Sequence, residues 1–573
     1  LNDTPTLRRL ALGTLLAAFP GHTAPEWAVR LLSEGLAGHT LFGYNVLDAA
    51  QVGRLTAALR SGRPDVLIAI DEEGGDVTRL AHRTGSPYPG NAALGAVDDV
   101  EVTRAVYAAI GADLAAAGVN LDLAPTVDVN TADDNPVIGT RSFGASTSLV
   151  ARHAAAAVAG LQSAGVAACA KHFPGHGATV TDSHLALPVV DASLDLLRSR
   201  DLPPFAAAAA AGTQAIMTAH IRVPALTGTD PATFSRRTLV DLLREEYGFQ
   251  GAIITDALEM TGAAAAAGGI PQAAVRALAA GADLLCIGAQ VDEDLTESVA
   301  AEIVRAVEDG RLPFERLTDA VARNEKMAAW AASPLAGDND APGRMAAHTD
   351  ADHTETPGRA TAHTETDHTD DRGRATAHGD ADRYDNPSRA TTHGDADRYD
   401  NPSRATAHGD ADRYDNPSRA TAHSDADRYD DLGLAAARRA VRVEGSLADL
   451  GSPLVVQLVS GYSIAEGRVP WGLSPHLNGT EQLEVVAASA SPDDLIARAG
   501  VRPIVVVGRH THRSAETRAL IEQLAAAHAV GVVEMGWPSS WRPANAQAFV
   551  ITHGASRANA RAAAEALGLV ADR

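Results

Sequence analysis

Cysteine is almost missing from this sequence: Cys169 and Cys286 are the only two among 573 residues. Two thiols exclude a disulfide framework. Both fall in apolar runs that read as strands, so buried, reduced core thiols are expected. No stretch is apolar for long enough to span a bilayer. Basic residues are in deficit, with 48 Lys and Arg against 72 Asp and Glu, a formal net charge of −24. A phosphate backbone would be repelled, which argues against nucleic-acid binding. A glycine-rich phosphate loop is also lacking after the first apolar run, which counts against an open doubly wound sheet.

What is present is ordinary globular material, 45% hydrophobic and 21% charged, in a chain long enough for two or more domains. Residues 1–335 alternate short apolar runs with Ala/Leu/Arg-rich stretches of helical period. The eight runs are 14–19, 39–43, 66–70, 119–123, 167–172, 215–219, 252–256 and 283–287. Such alternation implies parallel βαβ units. Eight of them over roughly 250 or more residues predict a (β/α)8 barrel. Arg8-Arg9 followed by the apolar residues 10–19 has some look of a signal peptide, but the same residues suit a buried first strand, which the barrel requires. A cytoplasmic location is the expectation, with secretion as the alternative.

Residues 336–432 break the pattern: they are rich in Asp, His, Arg, Thr and Ala and nearly free of aliphatic side chains. His348, His363, His378, His393, His408 and His423 recur with period 15, joined by Tyr384, Tyr399, Tyr414 and Tyr429. One Tyr per repeat cannot supply the apolar face that stacked repeats need. A disordered, tandemly expanded linker is therefore expected, and metal binding by its histidines is the lesser reading. Residues 433–573 are globular again. Apolar runs at 453–459, 484–488, 503–508, 529–534 and 548–552 alternate with helical stretches, which predicts a smaller α/β domain.

Four segments begin where barrel strands end, at the edge where barrel enzymes carry their active-site loops. They are Asp71-Glu-Glu-Gly-Gly-Asp-Val-Thr-Arg79, Ala124-Pro-Thr-Val-Asp128 with Asn135-Pro-Val-Ile-Gly-Thr-Arg-Ser-Phe-Gly144, Lys171-His-Phe-Pro-Gly-His-Gly177 with Asp182-Ser-His184, and Ile253-Ile-Thr-Asp-Ala-Leu-Glu-Met260. Lys171 and His172 are polar residues ending an apolar strand, so they face a cavity or a partner. Asp182 and His184, one residue apart, can point the same way. A carboxylate beside an imidazole fixes its tautomer and raises its pKa, as an acid/base catalyst needs. Asp256 at a strand end reads either as a helix N-cap or as a carboxylate nucleophile. Its place in a barrel mouth shared with Lys171, Arg79 and Arg141 favours the nucleophile.

These segments resemble glycoside hydrolase family 3, in its bacterial β-N-acetylglucosaminidase (β-N-acetylhexosaminidase) branch. The family signature around Lys-His-Phe-Pro-Gly-His-Gly followed by Asp-Ser-His is met at Lys171–Gly177 and Asp182–His184, and its nucleophile segment at Ile254–Met260. Pro231-Ala-Thr-Phe-Ser235 and Leu242-Leu-Arg-Glu-Glu-Tyr-Gly-Phe249 are similar too. The resemblance implies a retaining, exo-acting hydrolase that releases terminal β-linked N-acetylglucosamine from muropeptide or chitin fragments, in carbohydrate metabolism such as peptidoglycan turnover. It implies Asp256 as nucleophile, His184 as general acid/base and Asp182 as its orienting partner. Asp71, Arg79, Arg141, Lys171 and His172 would bind the sugar hydroxyls. No cofactor, no metal, no nucleic acid and no obligate protein partner are implied. The competing expectations are a family 3 β-glucosidase and an N-acetylglucosaminide phosphorylase. Because the acid/base comes from the barrel, residues 433–573 are expected to be dispensable for chemistry.

Overall fold

The computed structural model describes residues 4–183, 186–333, 431–446, 451–477 and 479–570. The repeat segment and His184 lie outside these residues. All described residues belong to one compact unit that joins the N-terminal part of the chain to residues 421–573.

Eight parallel strands form the first layer: β1 (Leu15–Ala17), β2 (Gly38–Leu41), β3 (Leu67–Ile70), β4 (Leu121–Asp122), β5 (Ala167–Phe173), β6 (Ala215–Thr218), β7 (Ala252–Thr255) and β8 (Leu285–Cys286). They pair in the order β7-β6-β5-β4-β3-β2-β1-β8. A bridge between Ile254 and Leu284 brings β8 back to β7 and closes the ring. The predicted (β/α)8 barrel is thus the observed fold, with a strand in each of the eight predicted runs. The first run divides differently from expectation. Thr4–Leu12 is a helix and only Leu15–Ala17 is a strand. Leu7, Ala11 and Leu12 recur at helical spacing and pack one buried face.

Alternation along the strands sorts the core into two shells. Leu16, Leu67, Ala69, Leu121, Cys169, Met217, Ile254 and Cys286 fill the barrel interior, and Met327 and Ala328 pack into the same cluster. Leu15, Ala17, Ile68, Ile70, Ala168 and Ile253 face the surrounding helices. Both cysteines are free and buried, as the sequence suggested. Several helices start at side-chain caps: Asp48 accepts from Gln51 N–H, Asp99 from Glu101 and Val102, and Asp292 from Leu295. Each cap satisfies amides that the first helical turn leaves open.

The terminal domain is a six-stranded sheet: β9 (Arg442–Gly445), β10 (Leu454–Leu458), β11 (Gln482–Val485), β12 (Ile504–Gly508), β13 (Val530–Glu534) and β14 (Ala548–Ile551). The order is β11-β10-β12-β13-β14-β9, parallel except for β9. Four of the five parallel strands lie within predicted apolar runs, and β11 starts two residues ahead of the predicted 484–488 run, sharing only Glu484 and Val485 with it. β9 was not expected, because Arg442-Val-Glu-Gly445 is exposed throughout and carries no apolar signal. Counting from β10, the parallel strands follow the doubly wound order 2-1-3-4-5, whose ligand crevice falls where the first and third strands separate.

Candidate functional site

Asp71 follows β3, and the turn after it brings Glu72 and Glu73 inside. Gly75 takes φ +61, and a Cβ there would come within 2.4 Å of Gly90 Cα, so only glycine lets these loops touch. Lys171 and His172 belong to β5, and Gly177 passes so near the Val129 carbonyl that a Cβ would meet it at 1.9 Å. Arg141 ends a short 3₁₀ turn, Gly139–Arg141, on the loop after β4.

A buried network of opposite charges joins these loops. Lys171 Nζ lies 2.8 Å from Asp71 Oδ1 and 2.6 Å from Glu73 Oε1. Arg141 grips Glu73 bidentately, Nε at 2.9 Å and Nη2 at 2.7 Å. Burial pushes the Glu73 carboxyl up, but Arg141 and Lys171 outweigh it and hold Glu73 well below the usual range. Burial likewise works against the Lys171 ammonium, and the Asp71 and Glu73 carboxylates overcome it. His172 Nδ1 lies 2.7 Å from Asp128 Oδ2, which leaves Nε2 toward the cavity, 3.3 Å from Arg141 Nη2. Burial raises the Asp128 carboxyl, and His172 more than offsets it, so Asp128 stays ionised. At Glu72 the Arg79 charge is the least of the lowering influences and does not offset burial. Glu72 accepts from the Arg79 and Leu80 amides at 2.8 and 2.9 Å, and burial pushes it up to about 7.

Asp256, half-buried, stands just past β7 and accepts from its neighbouring Ala257 N–H at 2.8 Å. The next helix begins at Thr261 with Met260 as its cap residue, so the N-cap reading of Asp256 does not hold. His176 holds the start of the Asp-Ser-His segment: Nδ1 reaches Thr179 Oγ1 at 2.7 Å and Nε2 reaches Ser183 Oγ at 3.1 Å. Burial lowers His176 to about 4, which keeps this imidazole neutral.

One cavity of about 200 Å³ gathers Asp71, Arg79, Arg141, Lys171, His172 and Asp256, so the predicted binding residues and the predicted nucleophile meet there. Ser183 lines it as well. Asp182 is described, half-buried, but is not among the lining residues. His184 lies outside the described residues. Sequence reasoning missed Glu73, which pairs with Arg141 and Lys171, and Asp128, which pairs with His172. It also missed Ile464 and Ala465 of the terminal domain, which line the cavity. The expectation that 433–573 are dispensable did not foresee this, because nothing local marks 464–465 before the domains dock. Among the described residues no group of His, Cys, Asp or Glu is arranged to hold a metal ion, and no helix is long and apolar enough to cross a membrane.

Fold and cavity define the class: a parallel-barrel enzyme whose strand-end loops build a small, charged pocket. Residues 13–326 match the family described as Glycosyl hydrolase family 3 N terminal domain, and the chain belongs to glycosyl hydrolase family 3. It is similar to "Beta-hexosaminidase A" of Pseudoalteromonas piscicida, 36% identical over 329 residues, covering 53% of this chain and 55% of that protein. It is also similar to a "Beta-hexosaminidase" of Neisseria meningitidis serogroup C, 38% identical over 280 residues, 48% of this chain and 76% of the relative. Among solved structures, a family 3 β-N-acetylglucosaminidase from a Paenibacillus species superposes with a TM-score of 0.75 at 28% identity. That match covers 99% of this chain and 97% of the other.

Proposed function

We propose that the protein is a retaining, exo-acting glycoside hydrolase that releases terminal β-linked N-acetylglucosamine. The observation that carries this is the meeting of the Asp256 carboxylate with Asp71, Arg79, Arg141, Lys171 and His172 in one cavity. At about 200 Å³ it is smaller than the roughly 300–1,000 Å³ of sites for drug-sized ligands, which suits a single sugar ring. The Asp71 carboxylate accepts from sugar hydroxyls, while Lys171, Arg79 and Arg141 donate to them. The hexosaminidase names of the two relatives support an amino sugar, and the β-N-acetylglucosaminidase name of the Paenibacillus enzyme supports N-acetylglucosamine.

In this reading Asp256 attacks the anomeric carbon from the face opposite the leaving group. The C1–O bond to the aglycone breaks, and His184 supplies the proton that the departing oxygen takes up. A glycosyl ester on Asp256 results. Water then attacks the same carbon and gives its proton to His184, and the bond to Asp256 breaks. Two inversions leave the β configuration. Asp182 is the partner that orients His184. A histidine in place of a second carboxylate lessens like-charge repulsion with Asp256, and Asp182 restores part of it.

The test is turnover of an aryl N-acetyl-β-glucosaminide against the matching β-glucoside, with the first-formed anomer followed by NMR. Preferential release of β-N-acetylglucosamine is expected. A preference for the glucoside, or the α anomer appearing first, would overturn the reading.

A further inference from the structure

The terminal sheet has a ligand crevice by topology, at the C-terminal ends of β10 and β12. Two groups leave the sheet there: the 460–467 segment after β10, and Arg509 directly after β12. The crevice is taken up by the barrel. Asp76, from the acidic turn after β3, accepts from Ala555 N–H at 2.7 Å and lies 3.3 Å from Arg509 Nη2. Its second oxygen also accepts from Thr140 Oγ1 at 2.6 Å, one residue before Arg141. The site that a free α/β domain offers to a ligand is thus used to dock onto the loops that build the cavity.

Arg509 has a second partner, Glu466 Oε1 at 2.8 Å. Glu466 is tied within its own turn, since its N–H donates to Ser463 Oγ at 3.2 Å. Beyond this anchor the segment meets the barrel. Arg79 Nη2 donates to Ala465 O at 2.7 Å and Nη1 to Glu466 O at 3.3 Å. Its guanidinium sits 3.8 Å from Asp71 Oδ2, and Ile464 and Ala465 form cavity wall beside it. Arg79 therefore reaches the cavity with its orientation set by two carbonyls from another domain.

We propose that Arg509 is a positioning residue for sugar binding. Through Glu466 it holds the 462–467 segment against the barrel, and the Ala465 and Glu466 carbonyls aim the Arg79 guanidinium at the terminal sugar. The proposal rests on the cavity being the sugar site. It makes the terminal domain a working part of that site, although the acid/base comes from the barrel.

The test uses the full chain with Glu466→Ala and Arg509→Met. Glu466 is partly exposed and leaves Arg509 paired with Asp76, so Glu466→Ala stands as the variant that folds if Arg509→Met does not. KM on the aryl N-acetylglucosaminide should rise about tenfold with kcat changed less than about threefold, as for lost ground-state alignment. In an Arg79→Ala background, Glu466→Ala should shift KM by less than about twofold, because the group it acts through is gone. Peptide mapping after phenylglyoxal treatment gives a readout free of turnover: Arg79, protected in the wild type, should be modified several-fold faster in Glu466→Ala. Unchanged labelling, or the same KM shift with and without Arg79, would overturn the proposal. A wild-type protein that leaves the N-acetyl substrate untouched would refute the functional reading alone, and the labelling would still decide whether Glu466 holds Arg79.

Discussion

Glu73→Gln removes one negative charge from a cluster in which that charge serves two cations. Asp71 and Glu73 balance Lys171 and Arg141, and all four charges meet at 2.6–2.9 Å. A glutamine keeps the volume, but whichever way its amide is turned the NH2 replaces an oxygen that accepts from Arg141, either Oε2 facing Nε or Oε1 facing both Nη2 and Lys171, and meets it donor against donor. Glu73 and Lys171 side chains are each only 2% exposed, so water cannot replace the lost partner. Removing one side of a buried ion pair costs about 3–5 kcal/mol. Asp71 is a useful contrast, because its side chain is 20% exposed and solvent reaches it. Asp71→Asn should therefore cost only about 1 kcal/mol of stability while still harming turnover. Urea unfolding of both variants beside the wild type measures the difference, and KM on the aryl substrate shows the effect on Lys171 and Arg141. A Glu73→Gln loss under about 1 kcal/mol, or equal losses for the two variants, would refute this account of the cluster.

Asp256→Ala should remove nearly all turnover. Retention of more than roughly a hundredth of the wild-type rate on an activated substrate would imply only an acid/base-scale loss and end the nucleophile assignment. His184→Ala should slow substrates with poor leaving groups most and give a pre-steady-state burst with acidic phenols. A rate loss independent of leaving-group pKa would instead mark a binding role. Glu72 sits above its ordinary value, at about 7, because burial disfavours its anion. Its contribution to stability is then full at low pH and is lost as pH rises through about 7. Glu72→Gln should flatten that loss, so the stability difference between variant and wild type should change by about 2–3 kcal/mol from about pH 5 to about pH 8. A difference that is constant with pH would show that Glu72 is ionised throughout.

The barrel was legible because each strand is a short apolar run buried on both faces, and each helix between repeats its apolar positions at the helical period. The cavity residues were legible because polar groups at the ends of such runs have nowhere to go but the barrel mouth. Lys171, His172 and Asp256 show this directly. β9 is different: this polar edge strand pairs antiparallel with β14 through its backbone and leaves no side-chain pattern in the sequence.

The order of strands and the cluster of chemistry at their ends follow from the sequence, since periodicity and turn residues are local properties. Tertiary structure alone decides between Glu72 and Glu73. The two are identical neighbours, yet one turns toward backbone amides and is pushed up to about 7, while the other meets Arg141 and Lys171 and stays ionised. It alone also decides that Arg79 is oriented by carbonyls 386 and 387 residues away. Those outcomes depend on which desolvated groups come within a few ångströms after the loops and the two domains pack, and no spacing along the chain encodes that distance.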